Sequence, residues 1–199
     1  EIYAEFHYND SKVNLRDLII DSDHSRATTL GIQKIFKIQN NNYLFSWEWT
    51  QLEQSASRVL RNAGSWYHHN YVYDGYTNRG EVLGAGIGPG SNAHFFSVSK
   101  FDKTNKIGIS IEVIDQDNDF YYTAYRNTGD FRRYWKDFNL QLDFSKKYKK
   151  FWSSINLIYS RSLNYQWELE ENASSYYHPG KDVNNFHANI KITYEIPLN

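Results

Sequence analysis

The sequence predicts an all-β chain, an antiparallel transmembrane β-barrel of about eight strands that forms part of a larger barrel. Three observations predict it. Apolar and polar residues alternate with period two in segment after segment, the signature of strands with one apolar and one polar face. Short polar turns alternate strictly with long connections. No apolar run in the 199 residues approaches the ~20 a membrane helix needs, which leaves strands as the means of crossing a bilayer.

The elements follow in order. Residues 2–8 read as a first strand, and residues 9–26 as a long connection rich in charge, with Arg16, Asp17, Asp23, His24 and Arg26. Residues 27–38 read as a second strand, closed by a polar turn at 39–42. In the third, Tyr43, Phe45, Trp47 and Trp49 alternate with Leu44, Ser46, Glu48 and Thr50. Residues 54–92 form the longest connection. Residues 93–101 make a fourth strand, where adjacent Phe95 and Phe96 leave the register open.

After a turn at 102–105, Ile107, Ile109, Ile111 and Val113 alternate with Gly108, Ser110 and Glu112. A long connection at 115–133 leads to Phe138, Leu140, Leu142 and Phe144, set against Asn139, Gln141 and Asp143. Residues 145–150 form the third short turn. The alternation then runs through 151–169, nineteen residues, longer than the roughly 9–11 that a tilted strand needs to cross hydrocarbon. A last long connection at 170–184 precedes the clearest strand, in which Phe186, Ala188, Ile190, Ile192, Tyr194 and Ile196 share one face. With strict alternation, all four long connections emerge on one side, as in outer-membrane barrels, whose extracellular loops are long and periplasmic turns short. Aromatics near strand ends (Tyr8, Tyr43, Phe101, Phe144, Phe151, Tyr194) suit the interfacial girdles of such barrels. A soluble sandwich or up-and-down barrel also alternates, with its apolar face covered and its polar face in water.

Composition narrows the partners. A net charge of −1 supplies no field for nucleic acid. The absence of cysteine excludes disulfides and thiolate metal sites. A chain that starts at Glu1 without any methionine reads as a processed or trimmed product.

Three blocks of sequence carry a family resemblance. The first is Leu15-Arg16-Asp17-Leu18 with Asp23-His24-Ser25-Arg26-Ala27 and Leu30-Gly31. The second is Tyr76-Thr77-Asn78-Arg79-Gly80 with Val82-Leu83-Gly84 and Gly88-Pro89-Gly90-Ser91. The third is Trp135-Lys136-Asp137-Phe138 with Leu163-Asn164-Tyr165-Gln166-Trp167. In these blocks the chain resembles the Wzi capsule-assembly family of outer-membrane proteins, particularly its Bacteroidetes members. The resemblance implies a large single-chain barrel of which this chain is the C-terminal part, with Glu1 inside the parent barrel. It implies a non-enzymatic, lectin-like protein at the bacterial outer membrane that binds or organises capsular or surface polysaccharide. Outer-membrane lipid, lipopolysaccharide and other outer-membrane proteins are then the remaining expected partners, and no cofactor is expected. One departure is the end at Pro197-Leu198-Asn199, where many such barrels carry a terminal aromatic.

The candidate carbohydrate site begins in the 54–92 connection with Trp66, Tyr67, His68, His69, Tyr73, Tyr76 and Arg79, interleaved with glycines. Tyr121 and Arg132 of the next long connection and Tyr176 of the last are expected on the same rim. Aromatic faces stack on sugar C–H surfaces, and planar polar groups bond the hydroxyls. The same residues would equally fold the connection into a plug closing the barrel mouth. His68-His69 with Asp74 lacks the helical i, i+4 spacing of a metal pair, so no metal is expected. The charged cluster of the first connection reads as a fixed ion network. The acidic run from Asp115 to Asp119 lacks EF-hand spacing and reads as a solvated loop. Hydrolysis would need two carboxylates across a sugar, with Asp74, Glu81, Asp115, Asp117 and Asp119 available. The runners-up are therefore a structural barrel subunit docking protein, and an envelope glycan or lipid hydrolase.

Overall fold

Strand alternation is realised as a single meandering sheet. The computed structural model describes residues 1–9, 12–68, 71–72, 74–170 and 180–195. The first elements are β1 (Ile2–Tyr8), α1 (Leu15–Ile20), β2 (Arg26–Ile38) and β3 (Asn41–Gln51). A two-stranded hairpin of β4 (Thr77–Asn78) and β5 (Glu81–Val82) lies within the longest loop. The chain continues through β6 (Asn92–Phe101), β7 (Asn105–Asp115), α2 (Asn118–Tyr125), β8 (Lys136–Tyr148), β9 (Phe151–Leu163) and β10 (Val183–Tyr194). Eight strands pair antiparallel in the order β1-β2-β3-β6-β7-β8-β9-β10, so the expected count and the all-β antiparallel class are present. The barrel expected from the sequence is not closed among the described residues: β1 pairs only with β2, and β10 only with β9.

The short connections are tight. Gln39 (φ 54°) and Lys149 (φ 54°) sit in left-handed geometry at two of them. The third is tied by Asp102, whose carboxylate accepts from Thr104 N at 2.7 Å, Thr104 Oγ1 at 2.9 Å and Asn105 N at 2.8 Å. These bonds hold its carboxyl below the usual carboxylate range. The nineteen-residue strand expected at 151–169 is shorter, ending at Leu163. Asn164 (φ 53°), Gln166 (φ 56°) and Trp167 (φ 58°) break it with left-handed backbone that non-glycine residues rarely adopt.

The two faces differ in kind. Leu30, Trp49, His94, Val113 and Phe138 are successive cross-strand partners from β2 to β8. Below them run Ile32, Trp47, Phe96, Ile111, Leu140, Tyr159 and Phe186. The opposite face carries Gly31, Glu48, Phe95, Glu112, Asn139, Ser160 and Asn185 in one row. Phe96 therefore belongs to the apolar face and Phe95 to the polar one. Phe101 also faces the polar side, between Asn42 and Lys106, rather than joining a girdle. The apolar face is the exposed one: Ile107 is 58 % exposed, Ile109 47 % and Ile111 49 %, whereas Ser110 between them is 6 % exposed. Polar side chains bond along their own face, Asn139 Nδ2 to Glu112 at 2.9 Å and Asn156 Nδ2 to Asp143 at 2.8 Å.

Candidate functional site

Every long connection leaves the same edge of this sheet, and two of them contain helices that the alternation does not announce. In the first, Asn14 caps α1 by accepting from Asp17 N at 3.0 Å. Asp17 then takes Arg61 in a forked pair, at 2.8 and 3.0 Å, which pulls its carboxyl down to about 2. His24 is 1 % exposed, with Nδ1 3.2 Å from Ser57 Oγ and 3.9 Å from Asp21. Burial pushes its imidazole below the ordinary value, helped by the Arg61 charge. Of the expected ion network only Asp17 and His24 take part, around Arg61 from the next loop; among the described residues Arg16, Asp23 and Arg26 form no ion pair.

The base of the 54–92 loop is locked by the other loop helix. Leu52 N donates to Ser91 O at 2.9 Å and Asn118 N to Gly90 O at 2.8 Å. Glu53 accepts from Asn92 Nδ2 at 2.6 Å and Asn118 Nδ2 at 2.9 Å, and pairs with Arg58 at 3.1 Å. The Arg58 guanidinium lies 3.8 Å above the Tyr122 ring, within cation–π range. The Asp115 to Asp119 run is not the solvated loop expected. Asp115 pairs with Lys136 at 2.7 Å, and Asp117 caps α2 through Phe120 N at 3.0 Å. Asp119 is 6 % exposed and accepts from Gln54 N at 3.1 Å. Burial pushes Asp119 up to about 6, against that hydrogen bond and the Arg58 charge.

Beyond this base the loop turns across the polar face. Tyr67 (φ 69°) anchors it: its carbonyl accepts from Tyr76 N at 2.9 Å and its hydroxyl from Ala85 N at 3.0 Å. Two glycines make room for it. A Cβ at Gly84 would lie 2.6 Å from Tyr67 Cζ, and one at Gly75 (φ +57°) would overlap the Tyr67 carbonyl oxygen. Between this segment and strands β1 to β3 lies a cavity of about 830 Å³. Tyr3, Glu5, His7, Thr29, Glu48 and Thr50 form its sheet wall; Trp66, Tyr67, His68, Tyr76 and Leu83 are among its loop wall. The Tyr3 hydroxyl donates to Glu48, and His7 Nε2 is 3.6 Å from Glu5. A second cavity of about 380 Å³ shares Glu48, Thr50 and Ala85 and extends to Glu112 and Phe95. Aromatic faces opposite convergent polar groups suit a hydroxyl-rich ligand.

The structure brings together Trp66, Tyr67, His68 and Tyr76 of the expected site. Trp66 and Tyr67 lie with ring centroids 6.5 Å apart, and Tyr76 is 64 % exposed. Arg79 (φ 52°) is exposed at the tip of the β4–β5 hairpin and does not line the cavity. Tyr121 is 4 % exposed, enclosed against Tyr134 at 4.2 Å and Tyr122 at 5.2 Å. Its hydroxyl donates to Asp130 O at 2.8 Å. Arg132 donates from Nε to Asp130 at 2.9 Å, and this pairing draws the Asp130 carboxyl down to about 2. His69, Tyr73 and Tyr176 lie outside the described residues. Among the described residues no metal-binding cluster forms.

Glu5 and Glu48 are cavity residues that the loop-centred reading missed. Their signal was present: both occupy polar positions of alternating strands whose polar face the loop covers. Comparison with protein-family models, curated proteins and solved structures gives no match to this chain.

Proposed function

We propose that this sheet belongs to a β-barrel of the bacterial outer membrane whose long loops bind or organise surface polysaccharide without catalysing a reaction on it. One observation carries the membrane part: along β7, β8 and β9 the apolar face is the more exposed one, while on β1 to β3 the polar face lines the cavity under its own loop. A soluble antiparallel fold puts these faces the other way round. A lipid-facing wall with a hydrated interior requires this arrangement. The open edges at β1 and β10 support a sheet that continues into further strands, since unpaired edges are otherwise sites of aggregation.

The polysaccharide part rests on the cavity under the 54–92 loop and on the resemblance of the three sequence blocks to the Wzi family. The loop acts as plug and as binding wall at once: Tyr67 holds it down, while Trp66 and Tyr76 present ring surface beside His68, Glu5 and Glu48. A non-catalytic role fits the loop carboxylates, which Lys136, Gln54 N and the α2 N-terminus already engage. Trp66→Ala and Tyr76→Ala test the site without removing the Tyr67 anchor. Each is expected to weaken binding of purified surface polysaccharide about tenfold, the worth of one stacked ring, with strand content unchanged by circular dichroism. Wild-type binding by both folded variants would remove the cavity from the account.

A further inference from the structure

The cations of this chain are sorted by type between the two ends of the sheet. Of its thirteen lysines, ten lie on the short-turn half: 34, 37, 100, 103, 106, 146, 147, 149, 150 and 191. All nine arginines lie toward the long loops. The acidic residues on the short-turn half are Glu1, Asp102, Asp143 and Glu195. Among the described residues, Arg58, Arg61, Arg132, Arg133 and Arg161 pair with carboxylates, whereas only Lys147 of the ten lysines does, with Glu195 at 2.7 Å. Among the described residues, carboxylates thus engage five of the nine loop-side arginines but one of the ten turn-side lysines.

Three of these lysines interrupt the apolar face, and their register is informative. Lys34 on β2 lies level with Phe45, Val98, Ile109 and Leu142. Lys100 on β6 lies one apolar row lower, level with Tyr43, Ile107 and Phe144. Lys146 on β8 lies one row lower again, level with Asn105 and Ser153. The step is two residues for every two strands crossed. With a rise of about 3.4 Å per residue and about 4.8 Å between strands, the line through them is inclined roughly 35° to the hydrogen-bonded rows. Strands of membrane barrels tilt by about 35–45°, so a line at this angle runs parallel to the membrane plane. Extended to β9 and β10, it meets the Phe151–Tyr194 ring pair, 5.0 Å between centroids. At β3 it meets Tyr43, stacked on Phe36 at 5.5 Å. Aromatics at that level match an interfacial belt.

We propose that Lys34, Lys100 and Lys146, backed by the turn lysines Lys103, Lys149 and Lys150, form a collar that binds the phosphates of anionic glycerophospholipid headgroups. The leaflet is the one on the short-turn side. This inference rests on the reading of the sheet as bilayer-spanning and adds to it a lipid class, a leaflet and the tilt of the strands. The recognition is electrostatic: ammonium groups on flexible stems reach from the apolar wall to the phosphate layer, as lysines do at membrane interfaces.

The test is lipid selectivity of the purified protein in phosphatidylcholine bilayers, read by electron paramagnetic resonance from the fraction of spin-labelled lipid immobilised at its surface. Phosphatidylglycerol is expected to associate more strongly than phosphatidylcholine, by up to about fivefold per lysine, and the preference is expected to shrink with added salt. The Lys34→Gln/Lys100→Gln/Lys146→Gln variant is expected to lose most of that preference, the turn lysines keeping the remainder. Equal association in the wild type, or an undiminished preference in the triple variant, overturns the collar. So does stronger retention of lipopolysaccharide than phosphatidylglycerol at these lysines, which would put them in the opposite leaflet. Absence of any immobilised component with either lipid refutes the membrane reading itself, a result distinct from loss of selectivity.

Discussion

Gly75→Ala should release the 54–92 loop from the sheet without unfolding the sheet. Gly75 has φ +57°, and an added Cβ would overlap the carbonyl oxygen of Tyr67, the acceptor of the Tyr76 N–H at 2.9 Å. Left-handed geometry costs a residue with Cβ about 1–2 kcal/mol, and loss of that hydrogen bond adds about 1 kcal/mol. The total is about 2–3 kcal/mol, charged to a local opening because loop and sheet exchange as separate units. At about 1.4 kcal/mol per decade, hydrogen exchange at the Tyr76 and Ala85 amides should quicken by roughly 30- to 150-fold. Exchange in β7 and β8 should not change. Gly84→Ala should act similarly by displacing the Tyr67 ring, whereas Gly86→Ala, which has nothing within 4 Å of the new methyl, should be neutral. If Gly75→Ala exchanges at the wild-type rate, or Gly86→Ala matches it, Tyr67 is not the anchor described.

Two pH predictions have opposite signs. The folded-state value of Asp119 is raised from 3.8 to about 6, so its stabilising contribution is full below the unfolded value and is lost as pH rises through 6. Asp119→Asn should therefore raise the thermal stability of the α2 region at pH 7.5 and have little effect at pH 4; an equal effect at both pH values would refute this. His24 is depressed below 6.5, so its contribution is present above that value and lost as pH falls below it. Exchange at Asn9 N, which donates to Ser25 O at 2.9 Å, should quicken on acidification through that range; a pH-independent opening free energy there would refute the role of His24.

Much of the scaffold was legible because period two is a local signal that burial on one face enforces. β1 is bounded as read, and β2, β3, β6 and β10 differ by one or two residues at most ends. The end of β9 was not legible, because Tyr165 and Trp167 continue the alternation while the backbone at Asn164 and Gln166 turns left-handed. Nor were the helices, which at six and eight residues are too short to set a helical period apart from the surrounding pattern, although Asn14 and Asp117 are ordinary helix-capping types. Asp119 looked like a loop charge, since its burial arises from α2 docking under Gln54, a contact 65 residues away in sequence. The loop aromatics were legible as a group, but not which of them anchors. Only the close approach at Gly75 and Gly84 singles out Tyr67 from Trp66 and Tyr76.

In the proposed bilayer-spanning sheet the apolar face meets lipid. The absence of native cysteine permits single cysteines to be placed along β7 from Ile107 to Val113, each labelled with a fluorophore in a reconstituted bilayer. Quenching by lipid-borne quenchers should be strong at Ile107, Ile109, Ile111 and Val113 and weak at Gly108, Ser110 and Glu112. Uniform quenching by a water-soluble agent at Ile107, Ile109 and Ile111, with none from the lipid phase, would contradict the account.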